Sequence, residues 1–357
     1  MMKAFLNRQL LRGIAVFLVL HGTLATVHCQ LKDTVQVVAV GDVMMGTMYP
    51  DGQYLPPNND CSRSFSMVKT YFAGADILFA NLEGALIESL DGAKKCNNPE
   101  WCYTFGMPAA YAGCLKDAGF NLLSIANNHS GDFGAAGRAS TVKALDMAGI
   151  RYAGLVSCPT ATFTKDGIKY GFCAFAPNEG TVSVKDIAAA EKIIKTLNES
   201  CDIVIVSFHA GAEGNKYQNV TRQTESFLGE NRGNVYEFAH RMIDAGADVL
   251  LGHGPHVTRA VEVYKNRFIT YSMGNFSTYS RVNVSGVNGW APIFRIYTDK
   301  HGAFLKARIT PTWQPADDRC PRYDPERNVT KKIRSLTQHD FPDSPLTITD
   351  NGVVTQP

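Results

Sequence analysis

The chain has 357 residues, of which 45% are hydrophobic and 19% are charged, and its formal net charge is +2. This is the composition of a globular protein with enough length for one large domain or two smaller ones. The nearly balanced charge excludes the strongly basic character typical of proteins that bind nucleic acid, and we expect no such partner.

Residues 1–29 predict a signal peptide. Basic residues precede the apolar stretch "GIAVFLVLHGTLATV", and Val27 and Cys29 are small enough for cleavage before Gln30. The alternative is an uncleaved anchor, although the apolar run is short for a membrane span of ~20 residues. Cleavage predicts a secreted protein with no stable membrane span.

Cysteine usage agrees with a secreted protein. Loss of Cys29 leaves an even set that suits disulfides: Cys61, Cys96, Cys102, Cys114, Cys158, Cys173, Cys201 and Cys320. Cys96 and Cys102 are the nearest pair and could close a small loop. Cys173 and Cys201 lie in apolar runs, where they could instead be buried thiols.

Six N-x-S/T sequons occur along the chain. Four of them predict glycosylation in a eukaryotic secretory pathway, at Asn198, Asn219, Asn283 and Asn328. The other two, at Asn128 and Asn275, lie inside motifs described below, where we expect no glycan.

Strand-like runs alternate with helix-like segments along the chain. The predicted strands, each ending in a loop, are 35–42, 75–84, 120–129, 201–211 and 247–256. The predicted helices are 64–74, 108–119, 136–149, 185–200 and 234–246. Two hairpins are predicted at 160–175 and 260–276. This order predicts a largely parallel central sheet in a domain of residues 30–314, followed by an irregular C-terminal extension, 315–357.

Polar signatures follow five of the strand-like runs. Their side chains are Asp42; Asn81 and Glu83; Asn128, His129 and Asp132; His209 and Glu213; and His253 and His256. In a parallel α/β sheet the carboxyl ends of the strands meet at one rim, where ligands bind. A convergent set of Asp, Glu, Asn and His suits Mn, Fe, Zn or Mg. The sequence therefore predicts a divalent metal site, with each signature weak alone and the five together specific.

The segments "GDVMMG", "ANLEG", "ANNHSGDFG", "HAGAEG", "GHGPH" and "YSMGNF" together resemble the CapA family, the poly-γ-glutamate capsule-synthesis proteins with a PGA_cap domain. The resemblance spans roughly residues 35–280. It implies a relation to the calcineurin-like metallophosphoesterases and an α/β fold, the four-layer αββα sandwich of metallo-dependent phosphatases. The predicted hairpins would then join a second sheet.

The resemblance also implies roles for the residues that match its motifs. The implied metal ligands are Asp42, Glu83, Asn128, His209, His253 and His256, with Asn81 an alternative to Glu83 as the bridging ligand. His129 matches the general acid, and Asp132 could orient it. Glu213, Asn81 and Asn275 are candidate substrate contacts. Glu213 could equally be a solvated loop carboxylate, and Asn275 part of a plain hairpin turn.

The expected activity is hydrolysis of a γ-glutamyl or polyglutamate-type amide, or of a phosphoester, by metal-activated water with two divalent ions. The substrate would be a small or polymeric anion, and Arg222, Arg232 and Arg259 could bind its charge. Metallophosphoesterases usually carry Asp-x-His in the first motif, whereas this chain has Met44 in the histidine position, and a thioether is a poor ligand for a hard ion. This difference supports an alternative, a non-catalytic accessory or binding protein that retains the scaffold.

Overall fold

The computed structural model of the protein describes residues 33–95 and 103–357. The predicted signal peptide and the pair Cys96 and Cys102 lie outside the described residues. The described residues belong to one compact unit, Leu31–Pro357. No helix among them is long and apolar enough to cross a lipid bilayer.

The described secondary structure consists of β-strands, α-helices and a few single turns of 3-10 helix. The strands are β1 (Thr34–Met44), β2 (Ile77–Leu82), β3 (Ala85–Ile87), β4 (Gly106–Pro108), β5 (Leu122–Ser124), β6 (Arg151–Ala153), β7 (Thr160–Lys165), β8 (Ile168–Phe175), β9 (Ile203–His209), β10 (Ser226–Phe227), β11 (Glu230–Asn231), β12 (Val249–His253), β13 (Val261–Tyr264), β14 (Arg267–Thr270), β15 (Asn275–Thr278), β16 (Trp290–Asp299), β17 (Phe304–Trp313), β18 (Arg322–Tyr323), β19 (Thr347–Ile348) and β20 (Val353–Thr355). The helices are α1 (Arg63–Ser66), α2 (Tyr111–Ala118), α3 (Gly134–Ala148), α4 (Ile187–Asn198), α5 (Val235–Asp244) and α6 (Asn328–Asp340).

Two large sheets organise the protein. Sheet A has the order β19-β20-β17-β16-β1-β2-β5-β6, with β15 added beside β1 and β18 beside β17. Sheet B has the order β13-β14-β12-β9-β8-β7. Strands β1, β2, β5 and β6 are parallel in sheet A, and β8, β9, β12 and β14 are parallel in sheet B.

The two sheets pack face to face with helices on their outer sides. Alternate residues of β1 face opposite ways, as a strand requires. Val37 and Ala39 join Ile205 of sheet B in the core between the sheets, whereas Val38 packs with Leu115 of α2 in a second core outside sheet A. A third core joins α4 and α5 to the outer face of sheet B. The predicted four-layer αββα sandwich is confirmed.

Helices α4 and α5 illustrate how the sequence specifies this arrangement. Each begins with a side-chain cap, because Asp186 accepts a hydrogen bond from the backbone of Ala189 and Asn234 accepts one from Glu237. Each then buries a stripe of apolar side chains against sheet B: Ala190, Ile194 and Leu197 in α4, and Val235, Phe238, Ala239, Met242 and Ile243 in α5. The predicted helices at 185–200 and 234–246 are confirmed.

The prediction of a single, largely parallel sheet is wrong. The parallel strands divide into two groups, one in each sheet, because strands covered on both faces look alike in sequence wherever they lie. The two predicted hairpins, 160–175 and 260–276, are present and form the two edges of sheet B.

The predicted helix at 64–74 is also wrong as one continuous element. The chain forms the short helix α1 and then a 3-10 turn, Lys69–Phe72, with Val68 between them at φ −122°. A β-branched residue loses side-chain freedom in a helix, which favours the break at this position.

The C-terminal residues 315–357 are not an irregular extension, contrary to the prediction. Helix α6 buries Val329 and Ile333 in the core between the sheets, and β20 pairs with β17 of sheet A. Helix α6 has few apolar residues and many polar ones, so its helical pattern was not recognised in the sequence.

One disulfide lies within the described residues. It joins Cys61, just before α1, to Cys114 in α2, with 6.0 Å between the Cα atoms. Among the described cysteines, Cys158, Cys173, Cys201 and Cys320 are free. Cys173 is the buried thiol that the sequence allowed, and Cys201 is half-buried.

Candidate metal centre

Asp42 lies near the end of β1, where the strand changes partner. Up to Ala39 the strand pairs with β16, and from Asp42 onward it pairs with β15. A register shift between Ala39 and Asp42 re-aims the aspartate, as β-bulges beside functional sites do. Gly41 allows this close approach, since a Cβ there would overlap the carbonyl oxygen of Gly274. The carboxylate of Asp42 is fully buried.

Asn81 lies on the neighbouring strand β2, directly opposite Asp42, and Glu83 comes directly after that strand. The Asn81 amide nitrogen donates to Asp42 Oδ1 at 2.9 Å and to Glu83 Oε2 at 2.5 Å. Asn81 Oδ1 accepts from Asn127 at 3.1 Å. The buried amide of Asn81 therefore holds two carboxylates side by side, and its own polar atoms are used within the protein.

Sheet B supplies the histidines. His209 ends β9 and His253 ends β12, and these residues are opposite each other in the parallel pair. His253 Nδ1 lies 3.0 Å from Asp42 Oδ1. His209 Nε2 lies 3.3 Å from Glu83 Oε2. The two sheets thus bring their carboxyl-terminal strand ends together, carboxylates from sheet A facing imidazoles from sheet B.

The turn "GHGPH" adds His256 to this group. Gly254 has φ +114°, and a Cβ there would lie 2.6 Å from the carbonyl oxygen of Ala210. His256 itself has φ +57°, a left-handed conformation that is uncommon for residues other than glycine. Its Nδ1 lies 3.1 Å from Asp42 Oδ2 and 3.1 Å from Asn275 Oδ1. Such strain in the backbone is often found at functional sites.

Asn275 orients His256 instead of facing outward. Its amide nitrogen donates to the carbonyl oxygens of His256 and Asn288, both at 3.1 Å, and also contacts that of Asn283 at 3.4 Å. The side chain is buried. Asn275 and Asn81 were predicted to contact the substrate. In the structure the polar atoms of both side chains bind other groups of the protein, so these residues support the cluster from within.

Several buried polar atoms of this cluster have no hydrogen-bond partner among the described residues. They are Glu83 Oε1, both ring nitrogens of His209, and His253 Nε2. Ligand atoms of Glu83, His209 and His256 all lie within 4.8 Å of one another. Buried polar atoms are costly unless they are paired. A carboxylate and imidazoles in this arrangement fit a divalent cation, which would satisfy them together.

The charges of the cluster are strongly coupled. Burial raises the pKa of Asp42, but hydrogen bonds to His253 and His256 outweigh it and hold that pKa well below its usual range. Burial and the charge of Asp42 also raise the pKa of Glu83, but the charge and hydrogen bond of His209 and the charge of His256 together hold that pKa below its usual value. For His256, burial lowers the pKa, whereas the hydrogen bond to Asp42 and the charges of Glu83 and Glu213 raise it to about 10. His256 is therefore protonated at neutral pH, and a bound cation has to displace that proton.

His129 forms a separate pair with Asp132. Its Nδ1 lies 2.7 Å from Asp132 Oδ2, which also accepts a hydrogen bond from the backbone of Phe105 at 2.7 Å. The ring of Phe105 packs on the imidazole with 4.1 Å between centroids. An ionised carboxylate only accepts hydrogen bonds, so Nδ1 carries the proton and Nε2 is the nitrogen left for other chemistry. Lys94 holds the other oxygen of Asp132 at 2.6 Å.

Asn127 connects these two parts of the site and is not among the site residues predicted from the sequence. Its amide nitrogen donates to Asn81 and to the carbonyl oxygen of Leu82, and its Oδ1 accepts from the backbone of His129. The signal was present in "ANNHS", where two asparagines follow a buried strand. Asn128 is partly buried, and its Oδ1 is buried without a hydrogen-bond partner in the described chain.

Glu213 lies at the edge of the cluster. Its side chain is 19% exposed, one oxygen contacts Arg232 at 2.5 Å, and the other lies 4.0 Å from His256 Nε2. Arg259, expected as an anion-binding residue, is fully buried and forms a two-pronged ion pair with Glu225 at 2.8 and 2.7 Å. It holds the loop that carries Glu213 and has no group free for a substrate.

The sequence model of the family described as "Bacterial capsule synthesis protein PGA_cap" matches residues 36–280. The chain belongs to this family. The match contains all five polar signatures, from Asp42 to His256.

Curated relatives agree with this membership. The chain is 28% identical to the capsule biosynthesis protein CapA of Bacillus anthracis, over 71% of this chain and 62% of that protein. It is 28% identical to the PGA biosynthesis protein CapA of Bacillus subtilis, over 68% of this chain and 63% of that protein. A probable polyglutamine synthesis accessory protein of Mycobacterium tuberculosis is 29% identical over 43% of this chain and 44% of its own length. The chain thus spans less than two thirds of these relatives.

Solved structures are more distant. A hypothetical protein from Thermus thermophilus aligns with a TM-score of 0.47 and 16% identity, covering 79% of this chain and 100% of its own. The NAD nucleotidase of Haemophilus influenzae aligns with a TM-score of 0.42 and 13% identity, over 85% of this chain and 56% of its own.

Proposed function

We propose that the protein is a secreted, metal-dependent hydrolase that cleaves a γ-glutamyl amide or a phosphoester in an anionic substrate. The convergence of Glu83, His209 and His256, with unpaired buried ligand atoms in the same cluster, is the observation that supports it most directly. Asp42 and His253 complete a set of ligands large enough for two divalent ions of the Mn, Fe, Zn or Mg class.

Each part of the site has a chemical task in this proposal. A divalent ion held there would lower the pKa of a bound water toward ~7 and polarise the scissile group. With both ring nitrogens protonated, His129 donates the Nε2 proton to the leaving group and returns to the neutral ring, while Asp132 holds the Nδ1–H. Phe105 covers the imidazole and keeps it in one orientation. Glu213 lies at the exposed edge, where it contacts substrate or a ligand histidine.

The substrate class is inferred from two sources. The names of the Bacillus relatives connect those proteins to capsule and PGA biosynthesis. The cluster of carboxylates and imidazoles suits hydrolysis of either an amide or a phosphoester. We favour the amide, because the family resemblance concerns a γ-linked glutamate polymer.

The test is a hydrolysis screen over γ-glutamyl amides and phosphoesters, with added Mn, Zn or Mg and with EDTA. We expect metal-dependent turnover that EDTA abolishes. His129→Ala should reduce turnover by about 10²–10⁴-fold, the usual contribution of a general acid. His301→Ala is the matched control, since His301 is exposed in the turn between β16 and β17. Equal turnover by wild type and His129→Ala would remove His129 from the mechanism.

A non-catalytic accessory role is the second candidate. Met44 is fully buried where related phosphoesterases carry a histidine ligand, and the Mycobacterium relative bears an accessory name. A protein that binds the polymer without metal-dependent turnover in the same screen would support this role over the hydrolase.

A further inference from the structure

A groove of about 470 Å³ lies on the outer face of sheet A, away from the histidine cluster. Strands β16 and β17 form its floor. Its lining includes three arginines and two tyrosines: Arg295, Arg308, Arg327, Tyr71 and Tyr323. None of these arginines contacts the ligand atoms of the metal centre.

Two of these arginines oppose each other across neighbouring strands. Arg295 of β16 pairs in register with Arg308 of β17. Their strand neighbours Phe294 and Ile309 face the core between the sheets. Since side chains alternate along a strand, both arginines face outward on the same side. Like charges directly opposite each other destabilise a sheet, so the pair calls for a compensating anion.

No carboxylate of the described chain compensates the pair. Arg295 donates only to neutral acceptors, Gln36 Oε1 and the carbonyl oxygens of Tyr71 and Ala73, at 2.8–2.9 Å. Arg308 is exposed, and its guanidinium forms no hydrogen bond within the described chain.

The third arginine is compensated only in part, because the charge of Asp350 acts on Arg327 while its carboxylate is hydrogen-bonded to Arg334. Arg327 donates to the carbonyl oxygen of Asp350 and to the amide oxygen of Asn351. The carboxylate of Asp350 is 78% exposed and contacts Arg334 at 2.6 Å. The groove therefore keeps a net positive charge, since three arginines and a single carboxylate, Asp350, line it. The guanidinium of Arg308 can hold a carboxylate through two hydrogen bonds, whereas Arg295 contributes mainly its charge.

An aromatic wall stands beside these cations. The rings of Tyr71 and Tyr323 stack with 6.3 Å between centroids, and Tyr323 is 39% exposed. Such a wall suits the methylene groups of a flexible chain. Arginines next to tyrosines thus fit a polymer in which carboxylates and short methylene segments alternate.

The groove lies within reach of the metal centre. Arg295 pairs with Val38 of β1, four residues before Asp42. At ~3.3 Å per residue this is about 13 Å along the strand.

We propose that this groove binds a segment of a polycarboxylate chain, with Arg295 and Arg308 sharing one carboxylate and Arg327 holding another. The choice of a γ-glutamyl polymer as this ligand rests on the proposed function, whereas the groove and its charge do not. The groove anchors the polymer outside the metal centre.

Binding of a fluorescent γ-glutamyl oligomer to the full chain, in EDTA so that the metal centre is silent, tests this directly. Arg308→Glu should raise the Kd at least about tenfold, because a charge-assisted contact becomes a repulsive one. Arg151→Glu is the matched control, with the same charge change at an exposed residue of β6 in the same sheet, and its Kd should stay within about twofold of wild type. The same Arg308→Glu protein should unfold at an equal or higher temperature, since the like-charge pair is gone.

Three results would contradict the proposed binding groove. They are no binding of the oligomer by the wild type in EDTA, an equal loss of oligomer affinity in Arg308→Glu and Arg151→Glu, or tighter binding of inorganic polyphosphate of matched charge than of the oligomer. Loss of binding in Arg308→Glu with no hydrolysis by the wild type would support the groove and contradict the hydrolase. Hydrolysis by the wild type without oligomer binding in EDTA would support the hydrolase and contradict the groove.

Discussion

Two regions of the protein contain histidines beside carboxylates, and they differ in which of those polar atoms already have hydrogen-bond partners within the protein. At the rim, imidazoles of His209 and His253 meet Glu83 and Asp42 between the sheets. On the far side of sheet B, His240 of α5 meets Glu262 of β13 at 3.0 Å. Both regions look like candidate sites if only the residue types are counted.

The second region is complete within itself. His240 lies between the rings of Tyr264 and Tyr236, with centroids 3.8 and 4.1 Å away. Glu262 also accepts from the hydroxyl of Tyr271 at 2.7 Å. Burial, and then the charge of Glu262, raises the pKa of Tyr271 well above its usual value, so the hydroxyl is a donor at every ordinary pH.

The rim cluster is incomplete in the same terms. Neither ring nitrogen of His209 has a well-formed hydrogen bond, although Nε2 lies 3.3 Å from Glu83, and His253 Nε2 has none, whereas no atom of His240 or Glu262 is among such buried atoms of the described chain. A histidine beside a carboxylate therefore does not define a site. Ligand atoms that converge from several strands without hydrogen bonds are the stronger indication, because a divalent cation would satisfy them together.

The largest expected effect comes from removing one of these atoms. His209→Ala should weaken metal binding by more than the roughly 10–100-fold that loss of an orienting partner costs. Metal content after dialysis, measured by mass spectrometry, reports it. His240→Ala is the control and should retain the wild-type metal content. Retention of full metal content by His209→Ala would mean that the ligands lie elsewhere.

The next largest effect is expected from removing the Asn275 side chain, which supports His256. Asn275→Ala should weaken metal binding by about 10–100-fold, because His256 loses the amide that fixes its ring and backbone. Asn283→Ala is the matched control, since only its backbone carbonyl contacts Asn275 and that group is kept. Equal affinity in both variants would show that His256 needs no such support.

The roles of the asparagines that support the cluster could not be predicted from the sequence. The ends of β1, β2, β9 and β12 could be selected from sequence, because a polar residue after an apolar run is visible locally. The tasks of Asn81, Asn127 and Asn275 depend on which strands become neighbours. That pairing is set by contacts far apart in the chain, such as β1 with β15.

Arginines show the same limit. Arg259 resembled a surface residue in sequence, yet the loop after β9 folds over it and brings Glu225 into contact. The four-layer sandwich was available only through the family resemblance, since periodicity predicted one sheet. Helix α6 and β20 were missed because their apolar residues are few, and both gain their stability from packing on sheet A and the core.

A smaller effect is expected from pH. His256 has its pKa raised to about 10 in the metal-free protein, so it is protonated below that pH. Metal binding releases this proton, and the affinity should therefore rise with pH, by about tenfold per unit across the neutral range. Calorimetry in buffers of different ionisation enthalpy measures the proton count. A metal affinity that stays constant or falls between about pH 6 and pH 8 would show that His256 is not protonated in the metal-free protein.

The smallest effect belongs to the complete region. Glu262→Gln keeps the shape of the side chain and one acceptor oxygen but removes the charge that both Tyr271 and His240 contact. We expect a loss of about 1 kcal/mol in the free energy of unfolding, measured by urea denaturation, with metal content unchanged. Glu237→Gln, in the first turn of α5, serves as the control, with a change below about 0.5 kcal/mol. A fall in metal content in Glu262→Gln would join the two regions into one site, because a self-contained pair can affect only the stability of the fold around it.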